Sequence, residues 1–107
     1  MLQRIITAFS HLPGVRDSAL YDGSGELIVG VAGSIDHSAL RRCGERVARD
    51  LGLGALEEIW VESAGAVVIA PVGEAETLCI HLDDATSIGR ASHELRRTRP
   101  IITELLR

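Results

Sequence analysis

The sequence predicts an α/β (α+β) fold in which a five-stranded antiparallel sheet carries helices on both faces. Three segments have apolar residues at helical spacing, and five short segments are rich in residues that favour strands. Short connections within each group of strands favour antiparallel pairing, because parallel strands need a crossover of about a dozen residues or more. The predicted order is α-β-β-α-β-β-β-α. At 107 residues the chain has the length of one domain, so residues 1–107 are expected to form a single unit.

The first three elements are a helix and a hairpin. Residues 2–12 have apolar side chains at helical spacing, and Pro13-Gly14 ends that helix. Strand segments at 15–22 and 26–32 follow. They flank Gly23-Ser24-Gly25, whose glycines suit the positive φ angles of a tight turn.

A central helix is predicted from Ser34, which suits an N-cap, to Leu51, after which Gly52 ends it. At 100° per residue, one face of this helix is apolar. Its residues are Leu40, Cys43, Val47 and Leu51. The helix is therefore expected to be amphipathic.

Three further strands are predicted at 55–63, 66–72 and 77–82. The middle one is apolar at every position from 66 to 70, which is typical of a strand covered on both faces. A sandwich of three layers follows from that pattern. Pro71 cannot donate a hydrogen bond to a neighbouring strand, so a bulge or an early strand end is expected there. A last helix follows Asp83-Asp84, which suits a helix N-terminus.

The composition excludes several function classes. All 11 basic residues are arginine, which excludes enzymes that need a lysine ammonium group, such as Walker-type nucleotide-binding and Schiff-base enzymes. The net charge of −4 and the single Tyr, Trp and Phe speak against nucleic-acid binding, which uses basic surfaces and aromatic platforms. The sequence shows no signal-peptide pattern and no apolar run of about 18 residues. We therefore expect a cytoplasmic protein without membrane insertion.

Residues that could perform catalysis or bind a metal do not form a motif. Cys79 and His81 are two apart on one predicted strand, but a structural zinc site needs four ligands and no second pair completes it. There is no Gly-x-Ser-x-Gly elbow for a nucleophile. Cys43 and Cys79 lie in segments with buried character, so both are expected to be reduced core thiols. We expect no catalytic residue, no metal and no cofactor, and hence a protein that is not an enzyme.

The side of the central helix opposite its apolar face is basic. It carries Arg42, Arg46 and Arg49, with Arg41 beside them and Glu45 as the acidic neighbour. One hypothesis is that these arginines bind an acidic surface of a partner protein, since guanidinium groups form bidentate contacts with carboxylates. The alternative is a helix face that is merely solvated.

Two features suggest self-association. Gly44 lies inside the central helix, where glycine costs about 1 kcal/mol relative to alanine. Either a second helix approaches closely there, or the helix packs tightly on its own sheet. On the third strand, Trp60 and Leu56 are expected on one face and Ile59 with Val61 on the other. Large apolar side chains on both faces suit a strand beside a dimer interface, and the alternative for Trp60 is a role in the core.

Several local strings resemble the roadblock family, which includes dynein light chains of the LC7 type and bacterial MglB-type proteins. The resemblance covers essentially the whole chain and rests on the order and spacing of the strings. They are Gly14-Val15, Asp22-Gly23-Ser24-Gly25-Glu26-Leu27, Val72-Gly73, Leu78-Cys79-Ile80-His81-Leu82, Ile88-Gly89, and Glu94-Leu95-Arg96-Arg97 with Pro100.

This resemblance implies a roadblock-like (profilin-like) sandwich and a non-catalytic homodimer that regulates or scaffolds a small Ras-like GTPase, with stimulation of GTP hydrolysis as a further expectation. It also implies dimerisation through the third strand and the central helix. The interface residues expected on that basis are Leu40, Gly44, Val47, Leu56, Ile59, Trp60 and Val61. Two other functions stay open. One is an assembly adaptor in a signalling or motility complex, with no effect on the nucleotide cycle, and the other is a small-molecule-sensing domain.

Overall fold

The computed structural model describes residues 1–33 and 37–107, and in these ranges the helices and strands follow the predicted order. The elements are α1 (Leu2–Phe9), β1 (Val15–Tyr21), β2 (Leu27–Gly30), α2 (His37–Asp50), β3 (Ile59–Glu62), β4 (Ala66–Val72), β5 (Glu76–Leu82) and α3 (Ile88–Leu105). A single 3₁₀ turn, Ala85–Ser87, precedes α3. The predicted N-cap Ser34 lies outside the described residues.

The five strands form one antiparallel sheet in the spatial order β2-β1-β5-β4-β3. The last three strands pair with their neighbours in sequence, which is the predicted meander. The first hairpin joins the meander through β1, which pairs with β5. β2 and β3 are therefore the two edges of the sheet.

The sheet has an apolar cluster on each face, as the continuous apolar pattern of β4 predicted. On one face Val68, Ala70 and Val72 pack with residues of α1 and α3. On the other face Val67 and Ile69 pack with Leu40 of α2. The fold is thus a three-layer sandwich with α1 and α3 on one side and α2 on the other.

Pro71 does not cause the bulge or early strand end that was expected. β4 continues to Val72 in unbroken register with β5, and Pro71 lies opposite Thr77. The reason is the short edge strand, because β3 pairs with β4 only between Ala66 and Ile69. Beyond Ile69 the strand has a partner on one side only, where a proline is tolerated as it is on an edge.

The edge strands are shorter than predicted. β2 spans four residues and not 26–32, and β3 spans four residues and not 55–63. Apolar patterning does not show where the neighbouring strand stops. The first helix is also shorter than the predicted 2–12. α1 ends at Phe9, and the hydroxyl of the next residue, Ser10, donates to the Thr7 carbonyl at 2.6 Å.

The first hairpin loop depends on Asp22 as well as on glycine. Its carboxylate Oδ1 accepts hydrogen bonds from Ser24 Oγ at 2.7 Å, Ser24 N at 2.9 Å and Glu26 N at 3.0 Å. Of the glycines in this loop, Gly25 has a positive φ of 89° and Gly23 does not. These hydrogen bonds hold the pKa of Asp22 below its ordinary value, and the bond from the Ser24 side chain contributes most.

A buried hydroxyl fixes α1 on the sheet, and its removal gives the first prediction. Ser18 of β1 is 3% exposed, and its Oγ donates to the Ile6 carbonyl at 2.7 Å. We expect Ser18→Ala to lower the free energy of unfolding by about 1 kcal/mol, because a buried acceptor loses its donor. Urea denaturation measures this. Ser10→Ala, which removes an exposed hydroxyl bonded to a carbonyl, is the control. Equal effects of the two variants would contradict the prediction.

Candidate interaction surface

The outer edge of β3 is a candidate interaction surface, since the described sheet places no strand beside it. Trp60 and Val61 are 49% and 40% exposed. Trp60 pairs with Val68 and so faces the α3 side of the sheet, whereas Val61 pairs with Val67 and faces the α2 side. An edge strand with large apolar side chains on both faces is a template for pairing with another strand.

The apolar face of α2 is largely directed away from the sheet. Leu40 packs against the cluster on the sheet, but Val47 and Leu51 are 50% and 67% exposed. Cys43 is also exposed, so the expectation of a buried thiol there was wrong. The side of the helix that faces the sheet instead carries small or polar residues at a spacing of three or four. His37 and Ala48 are buried there, and Arg41 and Gly44 are partly buried.

Gly44 allows this close packing of α2 on its own chain. A Cβ atom at this position would lie 2.6 Å from Ile59 Cδ1 and 3.0 Å from Leu56 Cδ2. Of the two explanations that the sequence left open, tight packing on the sheet is therefore sufficient. Leu56 consequently faces α2. The expectation that Leu56 and Trp60 share a face was wrong, because residues 55–58 are not part of a strand.

Arg41 connects α2 to the turn between β4 and β5. Its Nη1 donates to the carbonyl oxygens of Ala75 and Glu76, at 3.0 and 2.8 Å, and to Thr77 Oγ1 at 3.0 Å. Its side chain is 15% exposed, and its Nε lies 3.4 Å from Glu45. Arg41 is thus a structural residue separate from the basic stripe. Nothing in the local sequence distinguishes it from the arginine that follows it.

Arg42, Arg46 and Arg49 are exposed and form the basic stripe of α2. The side chains of Arg46 and Arg49 are 76% and 75% exposed, and each approaches Asp50, at 3.9 and 3.8 Å. Asp50 is an acidic neighbour that the helical wheel did not identify. Exposed ion pairs of this kind contribute about 0–1 kcal/mol, so both arginines can exchange Asp50 for another carboxylate at small cost.

A groove connects the end of α2 to β3. It has a volume of about 680 Å³ and lies between Leu53 and Leu56 on one side and Glu58, Trp60 and Arg96 on the other. Leu53 is 71% exposed. Ala48 of α2, Leu53 just beyond it and Trp60 of β3 therefore line one groove.

Glu58, the residue before β3, accepts more hydrogen bonds than the other acidic residues of this groove. Its side chain is 6% exposed. Oε1 accepts hydrogen bonds from Ser92 Oγ at 2.6 Å and Trp60 Nε1 at 3.0 Å, and Oε2 accepts one from Arg96 Nε at 3.0 Å. Burial raises the pKa of the Glu58 carboxyl, but these three donors outweigh burial and hold the pKa below its ordinary value. The sequence indicated that Glu58 and Trp60 share a face, and it did not indicate the two donors from α3.

The residues considered for metal binding lie elsewhere. Cys79 is buried in the α2-side cluster, and burial raises the pKa of its thiol to about 12. His81 Nδ1 lies 2.7 Å from Asp17 Oδ1. Within residues 1–33 and 37–107 no three acidic, histidine or cysteine side chains come together as a metal site. None of the described helices is long and apolar enough to cross a membrane.

No protein-family model and no curated protein sequence matches this chain. Solved structures do. MglB of Myxococcus xanthus superimposes with a TM-score of 0.79 at 17% identity, over 98% of this chain and 94% of that one. An MglB described as having a tetrameric arrangement superimposes with a TM-score of 0.81 at 13% identity, over 97% of this chain and 86% of that one. A Roadblock/LC7 domain from Streptomyces avermitilis superimposes with a TM-score of 0.69 at 15% identity, over 98% of this chain and 94% of that one.

The chain has the roadblock/LC7 fold. The resemblance that the local strings indicated is confirmed at the level of the fold. Within this roadblock/LC7 fold, α2 packs on the sheet beside β3, where Gly44 lies against Leu56 and Ile59. The basic stripe is on the same helix, on its exposed side.

Gly44 gives a prediction that separates packing within the chain from contact between chains. We expect Gly44→Leu to lower the free energy of unfolding by about 1–3 kcal/mol, because the larger side chain overlaps Ile59 and Leu56 of its own chain. Urea denaturation should show this loss at every protein concentration. Arg42→Leu, on the exposed side of the same helix, should change stability much less. A variant with unchanged stability that no longer self-associates would instead place Gly44 at a contact between two helices.

Proposed function

We propose that this protein is a non-catalytic homodimer that binds a small Ras-like GTPase as a regulator or scaffold. One observation carries the proposal: the edge strand β3 exposes large apolar side chains, and the helix that packs beside it, α2, carries an exposed basic stripe. The similarity to MglB, including one described as tetrameric, supports self-association and a role in a GTPase-related system.

In the proposed dimer, two copies of β3 pair antiparallel about a two-fold axis. This pairing satisfies the outer backbone groups of both edge strands and makes one continuous sheet. Trp60 and Val61 become buried at the junction, and Val47 and Leu51 pack across it from the two α2 helices. The other residues expected at the interface support it from inside each chain. They are Leu40, Gly44, Leu56 and Ile59, and Gly44 lies against Leu56 and Ile59.

The same dimer brings two basic stripes to one side of the sheet. Arg42, Arg46 and Arg49 of each copy then form a surface that suits carboxylates of a GTPase. Binding favours the nucleotide state that this surface contacts better. We further propose that any stimulation of hydrolysis arises because the bound dimer orders the catalytic groups of the GTPase itself.

Dimerisation is tested with two matched charge insertions. Val61 on β3 and Ile28 on β2 are exposed apolar residues on opposite edges of the sheet, at 40% and 42% exposure. We expect Val61→Glu to weaken the dimer at least tenfold, since it places two carboxylates at the junction, and Ile28→Glu to leave it unchanged. Analytical ultracentrifugation measures both. A dimer sensitive to Ile28→Glu alone would assign the interface to β2.

Partner binding is tested with the small Ras-like GTPase of the same organism, loaded with a non-hydrolysable GTP analogue or with GDP. We expect preference for the GTP-analogue form. Arg42→Glu with Arg46→Glu should lower that affinity at least tenfold at low salt, because the variant presents like charge to an acidic surface. Calorimetry measures the binding, and Arg90→Glu, an exposed arginine on α3, is the control.

Each outcome of the GTPase experiment has a distinct meaning. Equal affinity for the two nucleotide forms would replace the regulator with an assembly adaptor. Equal losses for the stripe variant and for Arg90→Glu would show that net charge and not the stripe determines binding. A wild-type dimer without any affinity for the GTPase would contradict the proposed partner and leave the proposed interface intact.

A further inference from the structure

Trp60 has an unusual combination of exposure and internal bonding. Its side chain is half-exposed, at 49%, yet its indole N–H donates to a carboxylate of the same chain at 3.0 Å. An indole at a surface can donate to water. Here the acceptor is Glu58, whose side chain is 6% exposed and fixed by two further donors. The ring is therefore held in one orientation while much of its apolar surface stays in contact with water.

We propose that Glu58 is a positioning residue that holds the Trp60 indole as a pre-organised anchor for a second copy of this chain. The inference rests on the proposed dimer and adds to it a residue that acts through Trp60. Ser92 and Arg96 belong to α3, on one face of the sheet, and they hold the carboxylate that holds the indole. α3 thereby contributes to the geometry of the junction through Glu58.

Pre-organisation increases affinity because binding no longer has to immobilise the side chain. Fixing one side chain rich in rotamers in advance corresponds to roughly a two- to tenfold change in the dissociation constant. In a two-fold dimer each residue acts twice, so the loss is squared. We therefore expect the loss of the Glu58 contact to weaken the dimer about four- to a hundredfold.

Contacts that do not involve Glu58 already hold the start of β3 to the rest of the chain. Arg99 Nη2 donates to the Glu57 carbonyl at 2.6 Å, and this contact ties the same segment to α3 independently. On the other side of the sheet, Leu56 and Ile59 pack against Gly44. The bond between Glu58 and Trp60 is thus additional to the contacts that position the backbone.

A double-mutant cycle tests the inference. Dimer dissociation constants are measured by analytical ultracentrifugation for the wild type, Glu58→Met, Trp60→Phe and the double variant. We expect Glu58→Met to weaken the dimer about four- to a hundredfold in the wild type and less than about twofold in the Trp60→Phe background, because its effect passes through the indole N–H. Equal effects in both backgrounds would overturn the inference.

Two variants control for stability. Glu58→Gln keeps an acceptor oxygen for Trp60 and loses the charge that pairs with Arg96, so it should dimerise within about threefold of the wild type. Ser18→Ala removes a buried hydrogen bond away from this cluster and should lower stability without changing the dissociation constant. A Ser18→Ala dimer as weak as that of Glu58→Met would assign the effect to stability, against the inference.

Trp60 is the single tryptophan, so its fluorescence reports this site directly. At concentrations where the chain is monomeric, the anisotropy decay of the wild type should show an indole that rotates with the whole protein. Glu58→Met should add a fast local component. A freely rotating indole in the folded wild-type monomer would overturn the inference even if Glu58→Met does not fold. A wild type that stays monomeric at all concentrations would overturn the proposed dimer and, with it, the role of the anchor.

Discussion

The structure depends on strands that are buried on both faces. β4 and β5 present apolar side chains to α1 and α3 on one side and to the α2-side cluster on the other, so helices must cover both faces of the sheet. Within residues 1–33 and 37–107, the parts of the sheet left for contact with other molecules are then its edges, β2 and β3. The two edges differ in the described part of the chain, since Trp60 of β3 lines a groove that reaches the end of α2, the helix with the basic stripe.

The way α2 packs determines what that edge exposes. Gly44 and Ala48 are small enough for the helix to approach the sheet closely, and Arg41 binds the turn between β4 and β5 through its guanidinium group. These contacts fix the rotation of the helix about its axis. Val47 and Leu51 are left exposed as a result, although they are the most apolar residues in their part of the chain. A helix that buried Val47 and Leu51 could not offer these side chains to a second copy.

The sequence was sufficient to predict the element order, the antiparallel meander and the burial of β4 on both faces, because each of these features depends on a local pattern of apolar residues. It was not sufficient for the rotation of α2 or for the Glu58 cluster. A helical wheel ranks side chains by hydrophobicity, whereas the packing of Gly44 depends on Leu56 and Ile59, more than ten residues away. Two of the three donors to Glu58 come from α3, which no local pattern connects to β3. Pro71 likewise was misjudged because only the structure shows where β3 stops pairing.

The proposed dimer and the proposed partner site are physically coupled. Joining two copies through β3 brings two sets of exposed arginines together, and like charges within a screening length of about 10 Å oppose the association. Asp50 offsets part of that repulsion within each copy, and burial at the junction must exceed the rest. An acidic partner bound across both stripes removes the repulsion, so it binds the dimer better than the monomer. By thermodynamic reciprocity, whatever strengthens the junction then strengthens partner binding by the same factor. An indole fixed in advance by Glu58 acts in that direction, because it favours the assembled form before any partner arrives.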